Sequence, residues 1–289
     1  MAPWFLYTLA ATLLYGVMYF VQKSGANRGY ASAWIVNIST TTVALFALAA
    51  VLLEGRRAPD TGLLLLYAGI NGTFYGLGSM THFKAFKILP AGIAFPLGKV
   101  NVVFIALAGI LLFGERFTAS QALAVVLFFL VVLLLTRREP HQPVAHLATG
   151  VLLVIAAGLC TTVSVTTGKY AAAAPGLPKT TYMALSYTLV ACLTFALGRL
   201  RSPGENSWKV PHAVGIGVAA GVCNFAGYWC ILQAFSTGKL SVIHPIFSLS
   251  ILVPIVLAML FHGEKMTVKK GLALALALLA VVLMKVDLL

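Results

Sequence analysis

The chain has 289 residues, 60% of them hydrophobic and 9% charged, with a mean hydropathy of +0.97. That much apolar surface exceeds what one soluble core can bury, which excludes a soluble enzyme or binding module and leaves an integral membrane protein. The formal charge of +13 does not point to nucleic acid: basic residues are scattered singly or in pairs such as Arg56 with Arg57, Arg137 with Arg138 and Lys269 with Lys270, near helix ends where lipid headgroups lie.

A helix needs about 20 apolar residues to cross roughly 30 Å of hydrocarbon. Runs of that kind predict ten spans, at residues 3–22, 31–53, 62–83, 90–113, 118–136, 148–168, 180–198, 212–235, 240–261 and 267–286. The first, MAPWFLYTLAATLLYGVMYF, has no basic leader and no small-residue cleavage site, so it is expected to be a retained helix. Tyr15, Tyr19 and Gln22 share one of its faces. In the third span, INGTFYGLGSMTHF sets Asn71, Tyr75, Gly78 and His82 at i, i+4, i+7 and i+11, a polar stripe.

The fourth span contains ILPAGIAFPLGKVNVVF, in which Gly92, Phe95, Lys99 and Val102 fall on one face. An ammonium at mid-membrane costs about 2.5 to 3.5 kcal/mol, so Lys99 is expected to face a cavity or a partner. Pro96 beside it removes a backbone hydrogen bond and leaves a carbonyl that can face the same cavity. The span ends in Gly114 and Glu115, where a left-handed C-cap is expected, and Thr118 with Gln121 forms a capping box for the next helix. The sixth span offers TTVSVTTGK. The eighth, AGVCNFAGYWCILQAF, supplies Asn224 and Tyr228, with Trp229 and Gln233 on neighbouring faces. The ninth carries Ser241, His244, Pro245 and Ser248. Cys160, Cys192, Cys223 and Cys230 lie in apolar runs without CxxC spacing, which predicts packing in the core and neither disulfide nor metal.

Residues from Ala85, AFKILPAGIAFPLGKVNVVFIALAGILLFGERFT, align without gaps with those from Ala234, AFSTGKLSVIHPIFSLSILVPIVLAMLFHGEKMT. In one register Pro96 meets Pro245, Gly114 and Glu115 meet Gly263 and Glu264, and Thr118 meets Thr267, which is a duplication signal. Lys23 and Lys169 correspond near the ends of the first and sixth spans. Five spans per half is an odd number, so the second half enters the membrane upside down. The expected fold is therefore all-α, ten transmembrane helices in two inverted five-helix repeats, residues 1–138 and 147–289, around a central cavity.

Ten spans in a five-plus-five pattern, each half ending in a Gly-Glu turn and a final helix, resemble the drug/metabolite transporter superfamily, in its EamA-like branch. The resemblance implies a transporter rather than an enzyme, in the plasma membrane of a bacterium, with both termini cytoplasmic. Lys and Arg counts over the connections favour the opposite orientation by the positive-inside rule.

Substrate at mid-membrane between the repeats is the expectation for such carriers. The candidate binding residues are Lys99, Phe95, His244, Ser248, Asn71, Tyr75, Asn224, Tyr228, Tyr19 and His82. Pro96, Pro245, Gly114, Glu115, Gly263 and Glu264 are expected in turns or gates. Asn71 and Asn224 serve equally well as interhelical hydrogen bonds, and the aromatic residues as packing.

No carboxylate lies deep in a span, which argues against a proton-coupled exporter of lipophilic cations. It favours a small zwitterionic or anionic metabolite, such as an amino acid, that brings its own anion to Lys99. A sugar-phosphate or nucleotide-sugar exchanger is the alternative, with Lys23 and Lys169 reaching the cavity from helix ends. A membrane-embedded transferase lacks its clustered carboxylates or His-acid pair here; a channel or scramblase is the other class of reading, against which the inverted repeat with two proline-broken helices favours alternating access and saturable counterflow decides. No cofactor and no nucleic-acid partner are expected. The partners are the bilayer, the small-molecule substrate, and a coupling proton or counter-substrate.

Overall fold

The computed structural model describes residues 2–30, 32–55, 59–89, 98, 100–116, 118–135, 147–201, 210–262 and 267–285. Helices account for nearly all of them: α1 Pro3–Asn27, α2 Ser32–Glu54, α3 Thr61–Ile88, α4 Asn101–Phe113, α5 Ala119–Leu135, α6 Leu147–Ala173, α7 Lys179–Arg201, α8 Pro211–Thr237, α9 Leu240–Ser248, α10 Leu252–His262 and α11 Val268–Lys285. No strand occurs among the described residues. A 3-10 turn at Leu249–Ile251 joins α9 to α10 within the ninth span. Pro245, inside α9, has no N–H to offer the Ser241 carbonyl, and the helix tightens one turn later.

Several helices outrun the apolar stretches that predict them. α1 continues to Asn27, α3 to Ile88 and α6 to Ala173, each about a turn beyond the expected end. Backbone hydrogen bonding continues past the last apolar residue, and lysines such as Lys23 and Lys84 can run their stems along the helix while the ammonium reaches the interface. Among the described residues five stretches are long and apolar enough to cross a bilayer: Pro3–Gly25, Ala33–Glu54, Ala148–Ala173, Pro211–Thr237 and Leu240–Leu257. The outer surface is apolar too, with Leu53 89% and Leu111 77% exposed, which suits lipid and not water.

The helices form two five-helix repeats related by an internal twofold that exchanges α1 with α6, α2 with α7, α3 with α8, α4 with α10 and α5 with α11. The packing maps onto itself under that exchange: α3 lies on α6 as α1 lies on α8, α3 on α7 as α2 on α8, while α2 meets α7 and α5 meets α11. Small residues set the closest approaches. A Cβ at Gly72 on α3 would stand 2.8 Å from the Ser186 carbonyl on α7, and one at Gly221 on α8 would stand 2.8 Å from the Ser39 carbonyl on α2. These are the same contact made twice, once by each half.

Polar groups then hold the seam. Asn37 Nδ2 donates to the Ala191 carbonyl at 2.9 Å and to Thr194 Oγ1 at 3.1 Å, tying α2 to α7 where no water competes. The largest apolar cluster draws on both halves, with Leu64 and Ile105 from one and Tyr182, Met183, Leu232, Phe235, Leu240 and Ile243 from the other. The cysteines are free, and the expectation of core packing fails for Cys192, which is exposed on the outer face of α7.

Candidate functional site

At the centre of the bundle the two halves bring together an aromatic wall. Tyr15 and Tyr19 come from α1, Tyr75 from α3, Tyr187 from α7, Tyr228 from α8 and Phe247 from α9. Ring centroids lie 6.3 Å apart for Tyr15 and Tyr19, 4.8 Å for Tyr15 and Phe247, 6.3 Å for Tyr75 and Tyr187, and 5.2 Å for Tyr187 and Tyr228. The hydroxyls of Tyr15, Tyr75, Tyr187 and Tyr228 are within electrostatic reach of one another. Tyr19 and Tyr75 sit deep among the helices, yet 39% and 37% of their surface stays accessible. Accessible surface at that depth means a hollow, and these two rings line it.

Two asparagines stand behind the wall. Asn71 Nδ2 donates to the Ser164 carbonyl at 2.8 Å and to Ser164 Oγ at 2.9 Å, joining α3 to α6. Asn224 Oδ1 accepts from the Tyr187 hydroxyl at 3.0 Å. Both asparagines are buried, so they shape the hollow by fixing its helices and the Tyr187 ring. Tyr75 and Asn224 occupy equivalent positions of the two repeats and both engage Tyr187, one by ring contact and one by hydrogen bond.

The end of the bundle nearest the chain termini is sealed. Gly114 ends α4 in the left-handed region, φ 62°, as its Gly-Glu pattern predicts. The turn delivers Glu115 to the start of α9, where Oε1 accepts from the Leu240 N–H at 2.6 Å and Oε2 from the Ser241 N–H at 2.8 Å. The residue before that helix, Lys239, makes no side-chain cap, so the carboxylate of one half caps a helix of the other. Charge on the acceptor and the helix dipole both favour it. A Cβ at Gly109 would sit 2.6 Å from Glu115 Oε2, so the glycine leaves the carboxylate its room.

Beside it, Lys169 of α6 donates through Nζ to the carbonyls of Phe235, at 2.7 Å, and Gly238, at the C-terminus of α8. Its ammonium lies 5.8 Å from the Phe113 ring centre and within reach of the Glu115 charge. Phe113 and Tyr170 rings pack at 4.5 Å, and Tyr170 stacks on Tyr67. At the head of α7, Lys179 Nζ donates to Gln233 Oε1 at 2.6 Å, and burial lowers the pKa of its ammonium.

Of the residues singled out from sequence, Tyr19, Tyr75, Tyr228, Asn71 and Asn224 come together in this region. His244 is buried on α9 with its ring 5.9 Å from that of Phe247, and Ser248 is buried at the end of the same helix. His82 is half-buried in the last two turns of α3. Phe95, Pro96, Lys99, Gly263 and Glu264 lie outside the described residues. Lys169, which the sugar-phosphate alternative would need in the cavity, is held instead by the α8 carbonyls at the sealed end. The capping box is present, with Thr118 N–H donating to Gln121 Oε1 at 3.0 Å.

Tyr187 was missed. It has no aromatic counterpart in the first repeat, but Thr180, Met183, Tyr187, Val190 and Thr194 recur at helical spacing and are all buried, and that stripe could have marked the inward face of α7.

Two inverted repeats meeting at an aromatic hollow, with one end shut, define a membrane protein of the transporter class. The family model for the EamA-like transporter family matches residues 2–137 and again 148–286, and the chain belongs to that family. A solved crystal structure of a protein 17% identical in sequence superposes with a TM-score of 0.80 over 97% of this chain and 95% of that one, which establishes a shared fold. No curated protein matches the sequence significantly.

Proposed function

We propose that the protein is a secondary transporter for a small zwitterionic or anionic metabolite, such as an amino acid, working by alternating access as one domain built from the repeats 1–138 and 147–289. The observation that carries this reading is the accessible surface of Tyr19 and Tyr75 between the two halves, at a depth where a solute can be enclosed. The described carboxylates, Glu54, Asp60 and Glu115, all stand at helix ends. A cation would therefore find rings and no counter-charge among the described residues, whereas the sequence offers an anionic group Lys99, whose repeat equivalent is Ser248 on the helix that carries His244. Tyrosine hydroxyls would hold the solute's polar edge and Phe95 its body, with a proton at His244 or a counter-substrate driving the cycle. Lys169 is engaged elsewhere, which weakens the sugar-phosphate alternative because a phosphate is expected to draw on several bases at once.

The test is counterflow in proteoliposomes with a panel of radiolabelled amino acids, organic acids and sugar phosphates. Saturable exchange of an amino acid or organic acid is expected, with Lys99→Met weakening apparent affinity at least about tenfold and Lys99→Arg retaining part of it. Undiminished affinity in both variants removes Lys99 from the site. Exchange confined to sugar phosphates overturns the substrate class.

A further inference from the structure

If the halves exchange conformations, as the transport reading holds, each end of the bundle needs a device that holds it shut. The closed end has one. Lys169 near the C-terminus of α6 ties two carbonyls at the C-terminus of α8, and the two helices pack together there. At the other end the equivalent residues are all present and apart. Lys23, the repeat partner of Lys169 on α1, is exposed and makes no hydrogen bond or ion pair among the described residues. α1 and α3, the partners of α6 and α8, barely touch.

The receiving carbonyls on α3 already have the right shape. Gly238 leaves α8 in an extended conformation, φ −97° and ψ 160°, with its N–H bonded to the Ala234 carbonyl. Leu89 leaves α3 at φ −94° and ψ 138°, with its N–H bonded to Ala85, the equivalent residue. The Phe86 and Leu89 carbonyls of α3 thus match the Phe235 and Gly238 carbonyls that Lys169 occupies.

We propose that Lys169 and Lys23 are reciprocal latches. Lys169 closes α6 on α8 in the conformation described here. In the opposite conformation Lys169 lets go, and Lys23 closes α1 on α3 by taking the Phe86 and Leu89 carbonyls. Each ammonium moves between water and a helix C-terminus, whose partial negative charge and unpaired carbonyls favour it. Because the repeats are inverted, the two latches lie at opposite membrane faces, and only one is engaged at a time.

Spin-label distance measurements on the purified full chain test this without any substrate. One label pair goes on Ala173 and Thr237 at the closed end and another on Arg28 and Lys84 at the open end, in a background with the native cysteines replaced by alanine. The wild type is expected to show a short distance at the first pair and a long one at the second. Lys169→Met is expected to raise the ratio of long to short at the closed end about tenfold and to bring in a short distance at the other end. Lys23→Met alone leaves the wild-type distances in place and, combined with Lys169→Met, abolishes the new short distance. Lys169→Arg retains the wild-type pattern.

Should Lys169→Met fail to fold, Glu115→Gln, which weakens the charge beside the same latch, is expected to shift both distances in the same direction. Distances unchanged in the folded variant, or an end that opens without its opposite closing, overturn the proposal. Counterflow that persists alongside unchanged distances sinks the latches and spares the transport reading. Reciprocal distances without counterflow of any tested solute do the reverse.

Discussion

Gly72 and Gly221 obey the internal twofold, whereas Lys23 and Lys169 break it. The glycines make the same close approach to the same carbonyl of the facing half. The lysines sit at equivalent places on equivalent helices, one tied to two carbonyls and the other exposed. The contrast separates what is built into the fold from what belongs to one conformation. The seams of α3 on α7 and of α8 on α2 are the same in both halves, so they need not change when the halves swap roles. The gap between the first and third helix of each repeat differs, so that is where movement is stored.

The largest expected effect attacks the symmetric part. Gly221→Val or Gly72→Val drives side-chain carbon into a backbone carbonyl that cannot step aside, and each is expected to cost about 3 kcal/mol or prevent folding. Thermal unfolding and monodispersity in detergent check it. Gly69→Ala and Gly215→Ala, where nothing lies within 4 Å, are controls expected to gain about 0.5 kcal/mol from reduced backbone entropy in the unfolded chain. A loss at the controls matching that at Gly221 would show that the close approach is not the cause.

Next comes the closed end. Glu115→Ala strips the acceptor from the Leu240 and Ser241 amides and is expected to cost about 2 kcal/mol, with Glu115→Gln costing less. Thr118→Ala removes half of a capping box at the start of α5 and is expected to lower stability by about 1 kcal/mol, without altering the distances at either end of the bundle.

The smallest stability effects belong to the hollow. Asn71→Leu gives up an interhelical hydrogen bond worth about 0.6 kcal/mol in a membrane, and Tyr187→Phe a similar amount. Tyr187→Phe is nonetheless expected to weaken apparent affinity in counterflow several-fold, because it frees Asn224 and the ring that faces Tyr75. A variant with wild-type affinity would make Tyr187 part of the packing alone.

Much of the architecture was legible before any coordinates. Apolar runs located the spans, and the coincidence of Pro96 with Pro245 and Glu115 with Glu264 located the repeat. Helix ends such as Asn27, Ile88 and Ala173 were not, because hydrophobicity reports the solvent of a side chain and not the hydrogen bonding of its backbone. The candidate site was legible where a polar stripe interrupted an apolar helix, as at Asn71 and Tyr75. It was illegible at Tyr187, which the second repeat alone carries, and repeat matching cannot find a residue without a partner.

Sequence alone determined the solvent, the number of crossings and the inversion, since each follows from composition, length and parity, and none needs a long-range contact. Only the tertiary structure decided that Glu115 caps a helix of the other half, that Lys169 closes on α8 while Lys23 is exposed, and that Tyr187 faces Tyr75. These depend on which helix faces which and at what distance. Two equivalent lysines can differ only because a twofold written in the chain need not be kept by every conformation it adopts.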